Sequence, residues 1–184
     1  TGDMYVTLTN NASRGRQGSE GANPANPRAP NPYGHIMRWT EAGADHAATR
    51  FRWETFILAG DPNHANPAVR GNIKGDIFAS PDGLFIDPRG VMWVQTDVSP
   101  NVLLKDDHTI YGNNQMLAVD PVTREAKRFL TGPRGCEITG VITTPDMRTM
   151  FVNVQHPGEP ASERNDPSNP TAIVRSALSI RSAT

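Results

Sequence analysis

Residues 78–97, FASPDGLFIDPRGVMWVQTD, return in altered form at 136–156 as CEITGVITTPDMRTMFVNVQH. Gly83 and Gly140 lie 57 residues apart, and so do Pro88 and Pro145. One extra residue in the second turn sets Trp93 against Phe151 at a spacing of 58. Each copy reads as an apolar strand, a turn of the Pro/Asp/Gly type and a second strand rich in Val, Met and aromatic residues. A strand pair recurring at this period, with an acidic residue near each start, marks a radial β architecture rather than a lone hairpin.

Working outward, QMLAVD (115–120) and AKRFL (126–130) flank a PVTRE turn and predict a second hairpin between the two copies. With the first hairpin it makes a four-stranded meander, the form of one propeller blade. GHIMRWT (34–40) and FRWETFILA (51–59) form a similar pair upstream, and MYVTLT (4–9) matches the second strand of the repeat, VMWVQT. The expected fold is all-β: about two and a half four-stranded blades of a β-propeller, six-bladed when complete. The first strand of the opening blade is missing on this reading, and TAIVRSALSI (171–180) supplies one further strand. Because a ring needs about four to eight blades, residues 1–184 are expected to be a single region, the C-terminal fragment of a propeller domain. A self-contained open sheet is the competing account.

Composition agrees with many short strands and long polar connections. Gly and Pro number 16 each, hydrophobic residues make up 36%, and the mean hydropathy is -0.50. With 18 basic and 19 acidic residues the formal charge is -1, so no overall pull toward nucleic acid or an anionic membrane is expected. No run approaches the ~18 apolar residues of a membrane span, and the first residues do not read as a signal peptide. The single Cys136 excludes a disulfide within the chain. Two long polar connections, 10–32 and 60–75, either wall a site or decorate the surface.

The meander decides which residues share a rim. Strands 1 and 3 of a blade begin at the edge where strands 2 and 4 end. Asn10, Asn11, His35, Ser80, Asp82, Asp97, Asn113, Asn114, Cys136, Glu137, Gln155, His156 and Glu159 therefore gather on one side. The first strand of each blade lies nearest the axis, which directs Asp82 and Glu137 toward the channel. Two carboxylates meeting there without Lys or Arg repel unless a cation lies between them. Hard oxygen donors suit Ca²⁺ or Mg²⁺, and ferric iron also accepts them. Alone, Asp82 reads as the turn residue of Ser-Pro-Asp-Gly; taken as a pair at comparable positions, Asp82 and Glu137 read as metal ligands. His35 and His156 read as hydrogen-bonding elements of loops. Cys136 reads as a small buried residue, with a reactive thiol as the other possibility. No Gly-x-Ser-x-Gly elbow, Walker loop or GxGxxG motif occurs. Trp39, Trp53 and Trp93 are expected to pack between blades.

TLTNN (7–11), NPRAPNPYGHIMRW (26–39), FASPDGLFIDPRG (78–90), GNNQMLAVDP (112–121) and GCEITGVITTPDMRTMFVNVQHPGE (135–159) together resemble the PhoX-type alkaline phosphatases, a bacterial family with a metal-bearing β-propeller. The resemblance implies a secreted or periplasmic phosphomonoesterase, exported by the twin-arginine route. It also implies an iron ion (Fe³⁺) and several Ca²⁺ at the channel mouth, and small phosphate monoesters as substrates. It makes Asp82 and Glu137 metal-binding carboxylates. The remaining N-terminal half of the propeller, with further ligands, lies outside this chain, so the fragment itself is expected to be inactive. Two alternatives stay open: a non-catalytic, calcium-stabilised propeller binding module, and a propeller hydrolase of the lactonase type.

Overall fold

The computed structural model describes residues 2–156. The strand expected over 171–180 and the rim residue Glu159 lie outside the described residues. Ten strands run in order: β1 (Asp3–Leu8), β2 (His35–Glu41), β3 (Phe51–Leu58), β4 (Lys74–Gly75), β5 (Pro81–Ile86), β6 (Met92–Thr96), β7 (Gln115–Val119), β8 (Glu125–Thr131), β9 (Glu137–Thr143) and β10 (Met150–Gln155). They form three sheets ordered β1-β2-β3, β4-β8-β7-β6-β5 and β10-β9. The longest helical segment among the described residues is a six-residue 3-10 turn, Asp106–Tyr111. The fold is all-β, and the successive antiparallel sheets are those of a propeller. β1 and β5 lie beside each other, and β9 lies beside both β5 and β6, so the first sheet meets the second at β5 and the second meets the third at β9.

The repeat is structural as well as sequential. Phe85 faces Trp93 across β5–β6, and Ile142 faces Phe151 across β9–β10. Both hairpins carry a β-bulge where the repeat places its glycine. Pro81 pairs with Thr96 but Leu84 with Val94, and Thr139 pairs with Asn153 but Val141 with Val152. Gly140 sits at φ +58, a conformation that favours glycine, and a Cβ there would approach the Asn153 amide. At Gly83 a Cβ would lie 2.2 Å from Gln95 Oε1. Each hairpin therefore lays an amide side chain across its bulge glycine.

Alternation fixes which face is buried. Ile36, Phe56, Ile57, Met92, Val94, Leu117 and Val119 fill the space between the first and second sheets. Trp93, Met116, Cys136 and Ile138 fill that between the second and third. Trp93 thus packs between blades as expected. Trp39 and Trp53 pair across β2–β3, and Trp53 is 44% exposed, because no described element covers that outer face. Within the connection 60–75, whose composition predicts a loop, Lys74–Gly75 adds a short parallel strand to β8. Glycine permits this approach, since a Cβ at Gly75 would lie 2.3 Å from the Ala126 carbonyl oxygen.

The buried carboxylate of Asp87 closes the DPRG turn. It accepts from the Arg89 backbone and guanidinium, from the Val91 N–H and from the Trp93 indole. Although burial works against the charge, these donors hold its carboxyl below the usual range. Across the first inter-sheet space, Arg124 donates to the Phe56 carbonyl at 3.0 Å and to Glu54 at 2.9 Å. Arg38 bonds the other oxygen of Glu54. Both guanidinium groups lie against the Phe56 ring, at 5.5 and 4.9 Å from its centroid. Arg124→Met is expected to cost about 1–3 kcal/mol, since it leaves a buried carbonyl unpaired. A urea midpoint equal to that of the wild type would show the network to be idle.

Candidate metal and phosphoryl site on the rim

Ser80 is the joint from which the rim is built. It is buried and has a positive φ of 52, a strained conformation for a residue with a side chain. Its N–H donates to Tyr33 O at 2.8 Å, its carbonyl accepts from Asp97 N at 2.9 Å, and its Oγ accepts from Asn10 Nδ2 at 3.3 Å. One residue therefore ties together the end of the 10–32 loop, the start of β5 and the end of β6. Asn114 does the same one strand further out. Its Oδ1 accepts from Thr96 Oγ1 and Val98 N, and its Nδ2 donates to Val98 O and Cys136 O.

On this scaffold the acidic side chains come within electrostatic range of Glu137. Asp82 occupies the β5 bulge; Thr7 Oγ1 donates to its carbonyl at 2.6 Å and Thr9 Oγ1 to its carboxylate at 3.2 Å. Glu137 opens β9 and accepts from Gln155 Nε2 at 3.0 Å, and the same amide contacts His156 Nε2 at 2.8 Å. Burial raises the Glu137 carboxyl above its ordinary value, and the charges of Asp97 and Asp82 add to this, with His156 opposing. The two carboxylates singled out from the sequence thus share one electrostatic neighbourhood, and Asp97 joins them. Their positions are not equivalent, however. The repeat sets Glu137 against Ser80 and Gln155 against Asp97, so the acidic group changes strand from one blade to the next.

Carboxylate oxygens of this kind fit a hard cation, and the like-charge pressure on Glu137 is what a cation would relieve. Among the described residues, no three His, Cys, Asp or Glu side chains come close enough to enclose an ion by themselves. The donor set fits as part of a coordination shell. Cys136 is 2% exposed, and burial pushes its thiol up to about 11, which makes it a packing residue. His35 is fully buried. Its Nε2–H is assigned to Ala25 O and its Nδ1 accepts from Asn31 Nδ2, so both ring nitrogens are committed within the loop. Neither residue is available as a ligand.

The long connections are built in rather than decorative. Arg28 is 4% exposed and donates to Ala59 O at 2.7 Å, to Val69 O at 3.1 Å and to Gly34 O. Burial lowers its guanidinium to about 10. Tyr33, His64, His108 and Tyr111, drawn from three connections, pack ring against ring at 5.3–5.9 Å. Sequence reading missed this cluster because its members share no spacing. Burial lowers the imidazole of His108 from 6.5, with the Pro32 backbone and then Asp107 and Asp106 opposing. Burial lowers His35 as well. Both rings are therefore kept neutral by folding. Their contribution to stability is complete above pH 6.5 and is lost as the pH falls below it toward the depressed values. The thermal midpoint is expected to drop over that interval, and to drop less in His108→Phe. An equal drop in the variant would exclude His108 as a source.

A cavity of about 810 Å³ opens at the opposite edge between Asp3, Tyr5 and Arg38 and the turns at Arg89 and Val122. It holds none of the rim carboxylates. Its cations are paired in place: Arg38 and Arg124 with Glu54, Arg89 with Asp87, Lys127 with Glu125. The rim is accordingly the candidate site.

Fold and rim together describe part of a β-propeller that presents oxygen donors at one mouth. The chain belongs to the alkaline phosphatase PhoX family, whose pattern matches residues 1–158. It is similar to the solved structure of Pseudomonas fluorescens PhoX in complex with vanadate, a transition state analogue, with 42% identity and a TM-score of 0.77. The match covers 90% of this chain and 29% of that one, so the chain spans less than a third of that relative's length. No curated protein matches. Among the described residues, no helix is long and apolar enough to cross a membrane.

Proposed function

We propose that this chain supplies part of the active-site rim of a metal-dependent alkaline phosphatase that hydrolyses small phosphate monoesters. The observation that carries the reading is that the charges of Asp97 and Asp82 both bear on the Glu137 carboxyl at the rim of a chain in the PhoX family. Asp82 and Glu137 would hold the metal, Ca²⁺ or Fe³⁺. Bound there, it would supply Lewis-acid binding of phosphoryl oxygens and neutralisation of the leaving oxygen. The chain's own residues do the positioning. Thr9 fixes one oxygen of Asp82, Gln155 fixes one oxygen of Glu137, and Ser80 and Asn10 hold the loop between them. The isolated chain is inactive on this reading, because its donors form an incomplete shell. It is a portion of a larger exported propeller of six blades, which completes the shell.

The test is hydrolysis of a generic phosphomonoester at alkaline pH by the full-length protein, with and without a Ca²⁺ chelator. Turnover that the chelator abolishes and Ca²⁺ restores is expected. Absence of turnover in metal-replete protein would leave a calcium-stabilised binding module instead.

A further inference from the structure

The 10–32 connection carries Arg14, Arg16 and Arg28 against a single acid, Glu20. Arg28 is held by three carbonyl oxygens, but Arg14 has no such partners. Arg14 is 9% exposed, and its Nε and Nη2 are buried without a hydrogen bond. The Glu20 carboxylate lies 3.6 Å from Nη2, beyond hydrogen-bond range, on a side chain that is 83% exposed. Apart from Glu20, the groups named around Arg14 add positive charge. Arg28 Nε is also buried and unbonded, and His35, on which Arg28 and Arg14 both bear, has its ring nitrogens committed to Asn31 and Ala25.

A buried guanidinium whose one counter-charge is solvent-exposed and not hydrogen-bonded to it is costly, and orphaned donors of this kind are the places where an ion or water is held. The identity of the two free donors narrows the choice. Nε–H and Nη2–H lie along one edge of the guanidinium plane and point the same way, the fork that takes two oxygens of one oxyanion. We propose that the Arg14 fork is an oxyanion site of the phosphate class, built into the 10–32 loop. It shares no residue with the carboxylate rim and does not depend on the phosphatase reading. Glu20 is the competing anion within the chain, close enough to shield the fork but not bonded to it.

The experiment is the thermal midpoint of the full-length protein in inorganic phosphate against chloride at equal ionic strength. Wild type, Arg14→Gln, Arg14→Lys and Glu20→Gln are compared, each also in an Asp82→Asn background so that phosphate at the rim is separated from phosphate at Arg14. Phosphate is expected to raise the midpoint of the wild type by about 2–4 °C at saturating concentration. That increment should persist with Asp82→Asn, grow or persist with Glu20→Gln, and vanish with Arg14→Gln. Arg14→Lys, which keeps the charge but lacks the fork, should fold and lose most of the increment. An equal increment in both Arg14 variants would overturn the proposal. So would its loss in Glu20→Gln, which would make Arg14 simply the partner of Glu20. An increment present in wild type and lost with Asp82→Asn alone would assign phosphate to the rim only and would equally overturn it.

Discussion

Replacing Asp82 by Asn, or Glu137 by Gln, in the full-length protein is expected to lower phosphomonoester turnover on the order of 10²–10³-fold and to reduce the bound metal. Both carboxylates are held by a neighbour that survives the substitution: Thr9 at Asp82 and Gln155 at Glu137. The isosteric amides therefore remove charge without removing shape. Gln155→Leu separates positioning from ligation. It leaves the Glu137 carboxylate in place but frees one oxygen, and should weaken metal affinity by about 10–100-fold, with turnover recovering at high Ca²⁺. Wild-type activity and metal content in Asp82→Asn and Glu137→Gln would dismiss both residues as ligands. Full metal content with lost turnover would move them from metal binding to another role in the chemistry.

Gly34→Ala is expected to be the most destabilising single substitution at the rim, at about 3 kcal/mol. Gly34 sits at φ +74, and a Cβ would fall 1.8 Å from Thr9 O and 2.5 Å from Leu8 O. Those atoms are backbone at the end of β1, so no side-chain rotation relieves the clash. The Gly34 carbonyl also accepts from Ala59 N–H and Arg28. Pushing Thr9 aside would displace the hydroxyl that fixes Asp82, coupling the stability loss to the site. Urea unfolding measures the effect, and a loss below about 1 kcal/mol would show that the chain end moves freely. Metal content of the folded fraction reports whether Asp82 has moved with it.

Much of this architecture can be read from the sequence because a propeller blade is a local object. Each hairpin carries its own alternation and turn, so the repeat at 78–97 and 136–156 locates β5, β6, β9 and β10 without reference to the rest of the chain. The gathering of Asp82 and Glu137 follows from strand direction alone. The unread features arise where distant segments meet. The bulges at Gly83 and Gly140 need the partner strand before the extra residue is visible. The Lys74–Gly75 strand depends on room beside Ala126. The burial of Arg28 in a loop of polar composition depends on carbonyls supplied from 31 and 41 residues away. The exposure of Trp53 depends on what lies beyond β3. Asp97 reads from the sequence as a rim residue but not as a partner of the two carboxylates, because its relation to Glu137 exists only across two sheets.

Asp82 and Glu137 ride on different blades, and what lies between those blades is the greasy layer of Trp93, Met116, Cys136 and Ile138. The gap that an ion would have to bridge is therefore set by the thickness of that layer, much as a spacer sets the opening of a pair of jaws. Thinning it by one methylene, as in Ile138→Val, would narrow the gape without touching any oxygen donor. Thickening it would widen the jaws. If Asp82 and Glu137 hold an ion as proposed, selectivity among cations of different radius would then be adjustable from the interior, by changing the size of side chains that never meet the ion.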